Sequence, residues 1–339
     1  MNYNEKQNRR EAFIKWYAWS LKFGDCDPAV WMTDYLNNRF EHNSEQTIWL
    51  AWLYGNTYYL PTSWVILNEF PDFELATYDR IDNWNTENYK RLRYQTDTKW
   101  SKGHLPDMFK SYQEYVGDRT QREAFECVMG DNEEQNFDAI YDLVKTTFYK
   151  FGRFSSWFFQ QHLHHTANIP NLPSTLLLND YSGSRSHRNG LLLALGQDDQ
   201  YDSTFTKHEY AALEDNAKSI IIEMRDRFPD LKNDLNMFTM ETCLCSFKKV
   251  FRERNGRYLG YYNDRVAEEI ERVSADGWGG IEWRPLWQAR EETLDERIYK
   301  SRFINKSKFG DFIATGNIDR LDWMFKEDTK VFKGLEEFF

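Results

Sequence analysis

Apolar residues recur every three or four positions along most of this chain, the period of an amphipathic helix, and no stretch alternates convincingly with the period of a strand. Residues 6–22 align Phe13, Trp16, Tyr17 and Leu21 on one stripe. Asp27-Pro28 then supplies an N-cap and a first-turn proline ahead of Val30, Trp31, Tyr35 and Leu36. A third helix is predicted from Asn43-Ser44-Glu45-Gln46 through Ile48, Trp49, Trp52 and Leu53, with Gly55 as its C-cap. Pro61-Thr62-Ser63 starts a fourth, which Phe70 and Pro71 end. The same reading places further helices over 75–93, 107–116, 119–129, 134–149, 152–165, 206–228, 233–253 and 257–274, with shorter ones near 286–299, 316–325 and 328–336. The expected fold class is all-α, a single large multi-helix domain over 1–339.

Residues 166–204 break the pattern. Pro170, Pro173, Asn179-Asp180, Ser182-Gly183-Ser184 and Asn189-Gly190 are turn chemistry, set around the apolar runs Thr175–Leu178 and Leu191–Leu195. The segment reads as an interdomain linker, which would make it a sub-boundary, or as an irregular loop inserted at the site. Arg185, His187 and Arg188 among Ser and Gly favour the binding loop.

Composition narrows the class. Aromatic residues make up 17% of the chain, and only 17 Gly and 8 Pro interrupt it. Rings in that number bury enough apolar area to exclude a disordered chain. No apolar run reaches the roughly 18 residues that span a bilayer, and Met1 to Arg10 lack the apolar core of a secretory signal. A cytoplasmic protein with no membrane partner is expected. Four cysteines do not make a disulfide framework at this length. Cys243-Leu244-Cys245 lacks the second pair of a zinc site, so neither metal nor cofactor is expected. The formal charge of −11 argues against indiscriminate nucleic-acid binding, yet leaves room for a local basic groove.

Three constellations can carry chemistry. Trp52 to Trp64 is a corner between helices crowded with rings; Tyr54, Asn56, Thr57 and Tyr58 either pack a tight turn or form a wall for a planar group. Ser182 to Gly190 offers small residues and the forked guanidinium groups of Arg185 and Arg188, suited to phosphate or carboxylate at the start of a helix; the alternative is a solvated loop. Met240 to Lys249 puts Glu241, Cys245 and Lys248 on one helical face. From Lys248 to Arg265 the chain carries two Lys and four Arg against one Glu and one Asp, a local +4 interleaved with tyrosines, as a phosphodiester groove requires. A plain solvated helix pair is the alternative. Stretches 89–104 and 297–308 have the same basic-aromatic flavour. His162-Leu163-His164-His165 reads as a helix-end cluster of structural histidines, since no metal motif surrounds it. Asp198, Asp199 and Asp202 are acidic turn residues from which a base can come.

At the aromatic corner, Arg188-Asn189-Gly190, the Glu241–Cys245–Lys248 face and Gly256-Arg257-Tyr258-Leu259-Gly260-Tyr261-Tyr262, the chain resembles the phage amino acid:DNA transferases and their relatives, the α-glutamyl/putrescinyl-thymine pyrophosphorylases. The resemblance runs from about Trp49 to Arg265. It implies a helical, DNA-glycosylase-like fold and a place in the cytoplasm of an infected bacterium. It also implies that an amino acid or polyamine displaces phosphate or pyrophosphate from 5-hydroxymethyluracil in DNA. Such chemistry needs an extruded base, cations for the leaving group and a general base. Residue type and local charge, rather than the family, nominate the parts. Glu241 is the base with Asp198 as second choice, and Lys248 assists. Arg185, Arg188 and Lys249 hold the leaving group, while Tyr54, Asn56 and Tyr58 hold the thymine. Arg252, Arg257, Tyr258 and Tyr261 grip the DNA backbone. Two other readings stay open: a non-catalytic helical DNA-binding or virion protein, and a glycosylase-like base hydrolase using Lys248 or Asp264.

Overall fold

The computed structural model describes residues 2–96, 98–252, 256–296 and 315–316. The helix predicted near 328–336, that near 316–325 beyond its first residue, and the basic run 297–308 fall outside the described residues. Among those described there are α-helices and short 3-10 turns but no strand, so the fold is all-α. In chain order the helices are α1 (Arg9–Lys22), α2 (Pro28–Arg39), α3 (Ser44–Thr57), α4 (Leu60–Glu69) and α5 (Tyr78–Asn88). Then come α6 (Leu105–Val116), α7 (Gln121–Glu126), α8 (Glu133–Thr147), α9 (Arg153–His165) and α10 (Ser186–Ala194). The last are α11 (Lys207–Arg227), α12 (Met237–Phe247), α13 (Tyr261–Ala275) and α14 (Arg284–Thr293). None is long and apolar enough to cross a membrane.

The helices begin where local chemistry dictates. Asn43 accepts from the Glu45 and Gln46 amides while Gln46 reaches back to the Asn43 amide, and Thr120, Thr206 and Asn236 form boxes of the same kind. Each satisfies donors that a helix start leaves open, worth about 1 kcal/mol. Two local expectations change. α3 does not stop at Gly55 but runs on to Thr57, with Tyr58 closing it in the left-handed region at φ 44°. Gly55 is there for packing: a Cβ would lie 2.8 Å from the Phe159 Cβ on α9. The segment 166–204 is not loop throughout, because α10 lies within it.

The chain forms two compact units. One is built from Met1–Asp27 and Arg185–Asp264, the other from Pro28–Ser184 and Arg265–Thr293. In the first, α1 and α10 pack on α12, which is buried over nearly its whole length. Phe13 meets Phe247 edge-on at 5.3 Å, and the Trp16 indole donates to Ser246 Oγ at 3.0 Å. The Tyr17 hydroxyl contacts Thr239 Oγ1 at 2.6 Å.

In the second unit, α3 lies against α4, α7 and α9, and α2 packs on α14. Its core is largely aromatic. Trp49, Trp52 and Tyr112 form a stack with ring centroids 5.1 Å apart at each step, and Phe109 meets the two indoles edge-on. Each such pair adds roughly 1 kcal/mol beyond its buried area. Much of the aromatic surplus therefore builds this core.

Candidate functional site

The first unit holds most of the polar candidates, and two helices position them. The Asn236 cap fixes where α12 starts, so Glu241 and Cys245 fall one turn apart on one face, with Lys248 next along at the C-cap. α10 starts at Ser186, which puts His187 and Arg188 in its first turn. Gly190 lets the α10 backbone close on α12, since a Cβ there would lie 2.7 Å from the Leu244 carbonyl carbon. That approach explains Gly190 better than backbone access for an anion. It also sets His187 Nδ1 3.7 Å from Glu241 Oε1, with both side chains 2% exposed. The Cys245 Sγ, a His187 ring nitrogen and a Glu241 oxygen all lie within 4.8 Å of one another. Sulfur, nitrogen and oxygen donors so placed suit a soft divalent ion, or proton transfer with a nucleophile.

Lys248 is in electrostatic reach of Cys245 in this cluster, and other cations lie on the same unit. Lys248 is half-buried; burial, then the nearby Arg252, pull its ammonium below the usual lysine range, while Cys245 and Asp202 oppose them. Lys249 is partly exposed and Arg252 exposed. Arg185 is exposed and donates to the Asp202 carbonyl at 3.1 Å, and the Asn189 amide donates to the Asp202 carboxylate at 3.1 Å. Arg188 is buried and donates to the Tyr210 hydroxyl on α11 at 2.9 Å. Asp198 sits in a 3-10 turn, ion-paired to Arg9 at 2.7 Å and Lys6 at 3.4 Å.

Further along this unit, the Arg257 guanidinium lies over the Tyr261 ring at 3.4 Å, a partly exposed stacked pair. Tyr258 is buried, and its hydroxyl donates to the Asp264 carboxylate at 2.7 Å. Asp25 holds the start of α13 by accepting from the Gly260 amide at 3.0 Å and the Asn263 amide at 2.8 Å. Burial pushes its carboxyl up to about 8, against the pull of those amides.

The second unit holds the aromatic corner. Tyr54 is buried with its ring 4.2 Å from that of His162, and Tyr58 is flanked by Phe154 and Phe158 at 4.8 and 4.3 Å. The Arg265 guanidinium lies 5.0 Å from the Tyr58 ring and binds Glu269 at 2.6 Å. Asn56 is fully buried; its amide donates to the Trp52 carbonyl, and its Oδ1 has no hydrogen-bond donor among the described residues. His162 is buried and held neutral, with its pKa lowered to about 4 by desolvation. His165 is lowered to about 3, first for the same reason, so these two rings are held as neutral structural groups.

The basic-aromatic stretch 89–104 lines a cleft of about 430 Å³ in this unit. Lys90, Arg91, Arg93, Lys99 and Lys102 face it with Arg272, beside Tyr59 and Tyr94. Arg93 holds Asp276 through two bonds of 2.5 and 2.7 Å, and Arg91 stacks on Trp278 at 4.0 Å.

The structure thus gathers Glu241 and Lys248 with Arg188 on packed helices of one unit, with Arg185 at the start of α10. Tyr54, Asn56 and Tyr58 share a corner of the other. Sequence reasoning named His187 only as a loop residue; its place against Glu241 depends on the α10–α12 approach, for which Gly190 was the one available signal. Arg265 and Arg272 were likewise missed as partners of the corner and the cleft.

The family model for amino acid:DNA transferase matches residues 13–255. A serinyltransferase of Salmonella phage ViI is 25% identical over 325 residues, which span 88% of this chain and 77% of that protein. No solved structure matches the chain.

Proposed function

Because the chain belongs to the amino acid:DNA transferase family, we propose that it joins an amino acid to the exocyclic carbon of a 5-hydroxymethyluracil in DNA, displacing phosphate or pyrophosphate. The observation that carries this reading is the His187–Glu241 pair, buried at 3.7 Å beside Cys245, with Lys248 in electrostatic reach of that cysteine. A base and cations for a departing oxyanion are what such a displacement demands.

His187 takes the proton from the incoming amine, and the Glu241 carboxylate stabilises the imidazolium that results. Lys248, Lys249, Arg252 and Arg185 hold the leaving group, where a half-buried ammonium acts more strongly than one in open water. Arg188 acts indirectly, through Tyr210, by fixing the turn that carries His187. Asp198 is a weaker base, since Arg9 and Lys6 already hold its carboxylate in ion pairs. The Arg257–Tyr261 pair contacts the DNA backbone, and Tyr258 supports it from within. In the second unit the 430 Å³ basic cleft is a further phosphate track.

Tyr54, Asn56 and Tyr58, taken within the second unit by itself, are the candidate wall for a planar base. A thymine N3–H would supply the donor that Asn56 Oδ1 has not found among the described residues. The corner must open to admit it. Tyr58 at φ 44° is a strained non-glycine residue there, a feature that recurs at sites of function. Serine is the first amino acid to test, following the activity that the phage relative is named for.

Incubating the protein with DNA carrying phosphorylated 5-hydroxymethyluracil and a pool of amino acids, then analysing nucleosides by mass spectrometry, tests the reading. An amino-acyl nucleoside is expected. Abasic sites without such a product would instead mark a base hydrolase.

A further inference from the structure

Cys245 sits one turn beyond Glu241 on α12 and is the partly exposed member of a cluster whose other two side chains are buried. Its sulfur, a His187 nitrogen and a Glu241 oxygen lie within 4.8 Å of one another. Lys248, three residues on, interacts electrostatically with both Cys245 and Arg252. Thiol, imidazole and carboxylate, partly exposed in an electropositive place, are the setting in which a cysteine loses its proton and attacks. The same donors can ligate a soft divalent ion. A dication, however, would be set against the Lys248 ammonium, whereas that cation stabilises a thiolate.

We propose that Cys245 is a catalytic nucleophile that adds to C6 of the activated pyrimidine, so that transfer passes through a covalent DNA–protein intermediate. The proposal rests on the reading above, in which the substrate is a 5-(phosphoryloxymethyl)uracil. The thiol proton passes to His187. The sulfur forms a bond to C6, and the C5–C6 π pair moves onto C5 and O4 as an enolate. That pair returns to form an exocyclic C5=CH₂ bond as the carbon–oxygen bond breaks, and the phosphate leaves with its electrons and the proton. The amine nitrogen then attacks the methylene, and the enolate forms again. His187 accepts the amine proton, the enolate restores C5=C6, and the thiolate is expelled. The sum is one C–O bond replaced by one C–N bond, with no oxidant and no metal required. Direct displacement would need no thiol beside the base; addition at C6 makes the leaving group allylic to an electron-rich enolate.

The test omits the amino acid. Wild-type protein and an oligonucleotide carrying phosphorylated 5-hydroxymethyluracil should release about one phosphate per protein and give an adduct that survives denaturation, which serine then discharges. Cys245→Ala and Cys245→Ser should bind the oligonucleotide as the wild type does, form no adduct, and lose about a thousandfold in transfer. Product formation by Cys245→Ala within about threefold of the wild type overturns the nucleophile and leaves the transferase reading intact. If the wild type itself makes no product with any amino acid, that reading falls and the nucleophile with it. Should Cys245→Ala lose its circular dichroism, peptide mapping of the wild-type adduct decides: attachment at Cys245 supports the proposal and attachment elsewhere refutes it.

Discussion

Gly190→Ala probes the contact on which the polar cluster depends. In isolation the change favours a helix interior by about 1 kcal/mol. Here the new Cβ would stand 2.7 Å from the Leu244 carbonyl carbon and 3.0 Å from the Leu244 Cβ. Ordinary carbon–carbon contact is about 3.5–4.0 Å, and a main-chain obstacle cannot rotate away. α10 and α12 must therefore separate by about 1 Å, an overpacking that costs about 3 kcal/mol. The net loss is about 2 kcal/mol, or about 3 °C in the melting temperature of a chain this long. The same separation stretches the His187–Glu241 distance beyond 3.7 Å, so transfer should fall more than folded protein does. Differential scanning calorimetry, with Gly103→Ala as the control because nothing lies within 4 Å of its Cβ, measures the first effect. A Gly190→Ala protein that melts with the wild type would refute the close approach and the account of His187 built on it.

Other expectations follow from single groups. His162 is held near a pKa of 4 in the folded chain against 6.5 unfolded, so the unfolded state binds more protons between those values. Stability should fall as pH drops from 6.5 towards 4, by about 3 kcal/mol for this residue, and the difference between wild type and His162→Leu in urea titrations isolates it. Asp25→Asn leaves one acceptor where the Gly260 and Asn263 amides need two, and should cost about 1–3 kcal/mol in the same assay; equal midpoints would contradict the anchoring of α13. Lys90→Ala with Lys99→Ala removes two cations from the basic cleft, and the slope of log binding constant against log salt should shrink by about 2. An unchanged slope would remove the cleft from the DNA path.

The all-α architecture was legible because apolar spacing and caps are local signals, as at Asn43, Thr206 and Asn236. Where two helices touch is not local. Gly55 read as a helix end and Gly190 as part of a turn, because glycine serves ends, turns and close approaches alike, and only the facing Phe159 and Leu244 backbones tell them apart. The first turn of α10, from Ser186 to Gly190, hid among the turn residues of 166–204 for that reason. The pairing of Glu241 with a face of α12 followed from helical period, but its contact with His187 did not. The rings divide between two uses: Trp49, Trp52 and Tyr112 stack inside a core, whereas Arg257 on Tyr261 and Arg91 on Trp278 are cation–ring pairs of the kind that the basic stretches suggested.

The most direct test of the account is a nucleoside analysis of DNA carrying phosphorylated 5-hydroxymethyluracil after incubation with serine and either the wild type or Glu241→Gln. The account predicts a seryl nucleoside and an equal amount of released phosphate with the wild type, and a rate at least about a hundredfold lower with Glu241→Gln. Equal turnover by the two proteins would contradict the placing of the chemistry at the His187–Glu241 pair.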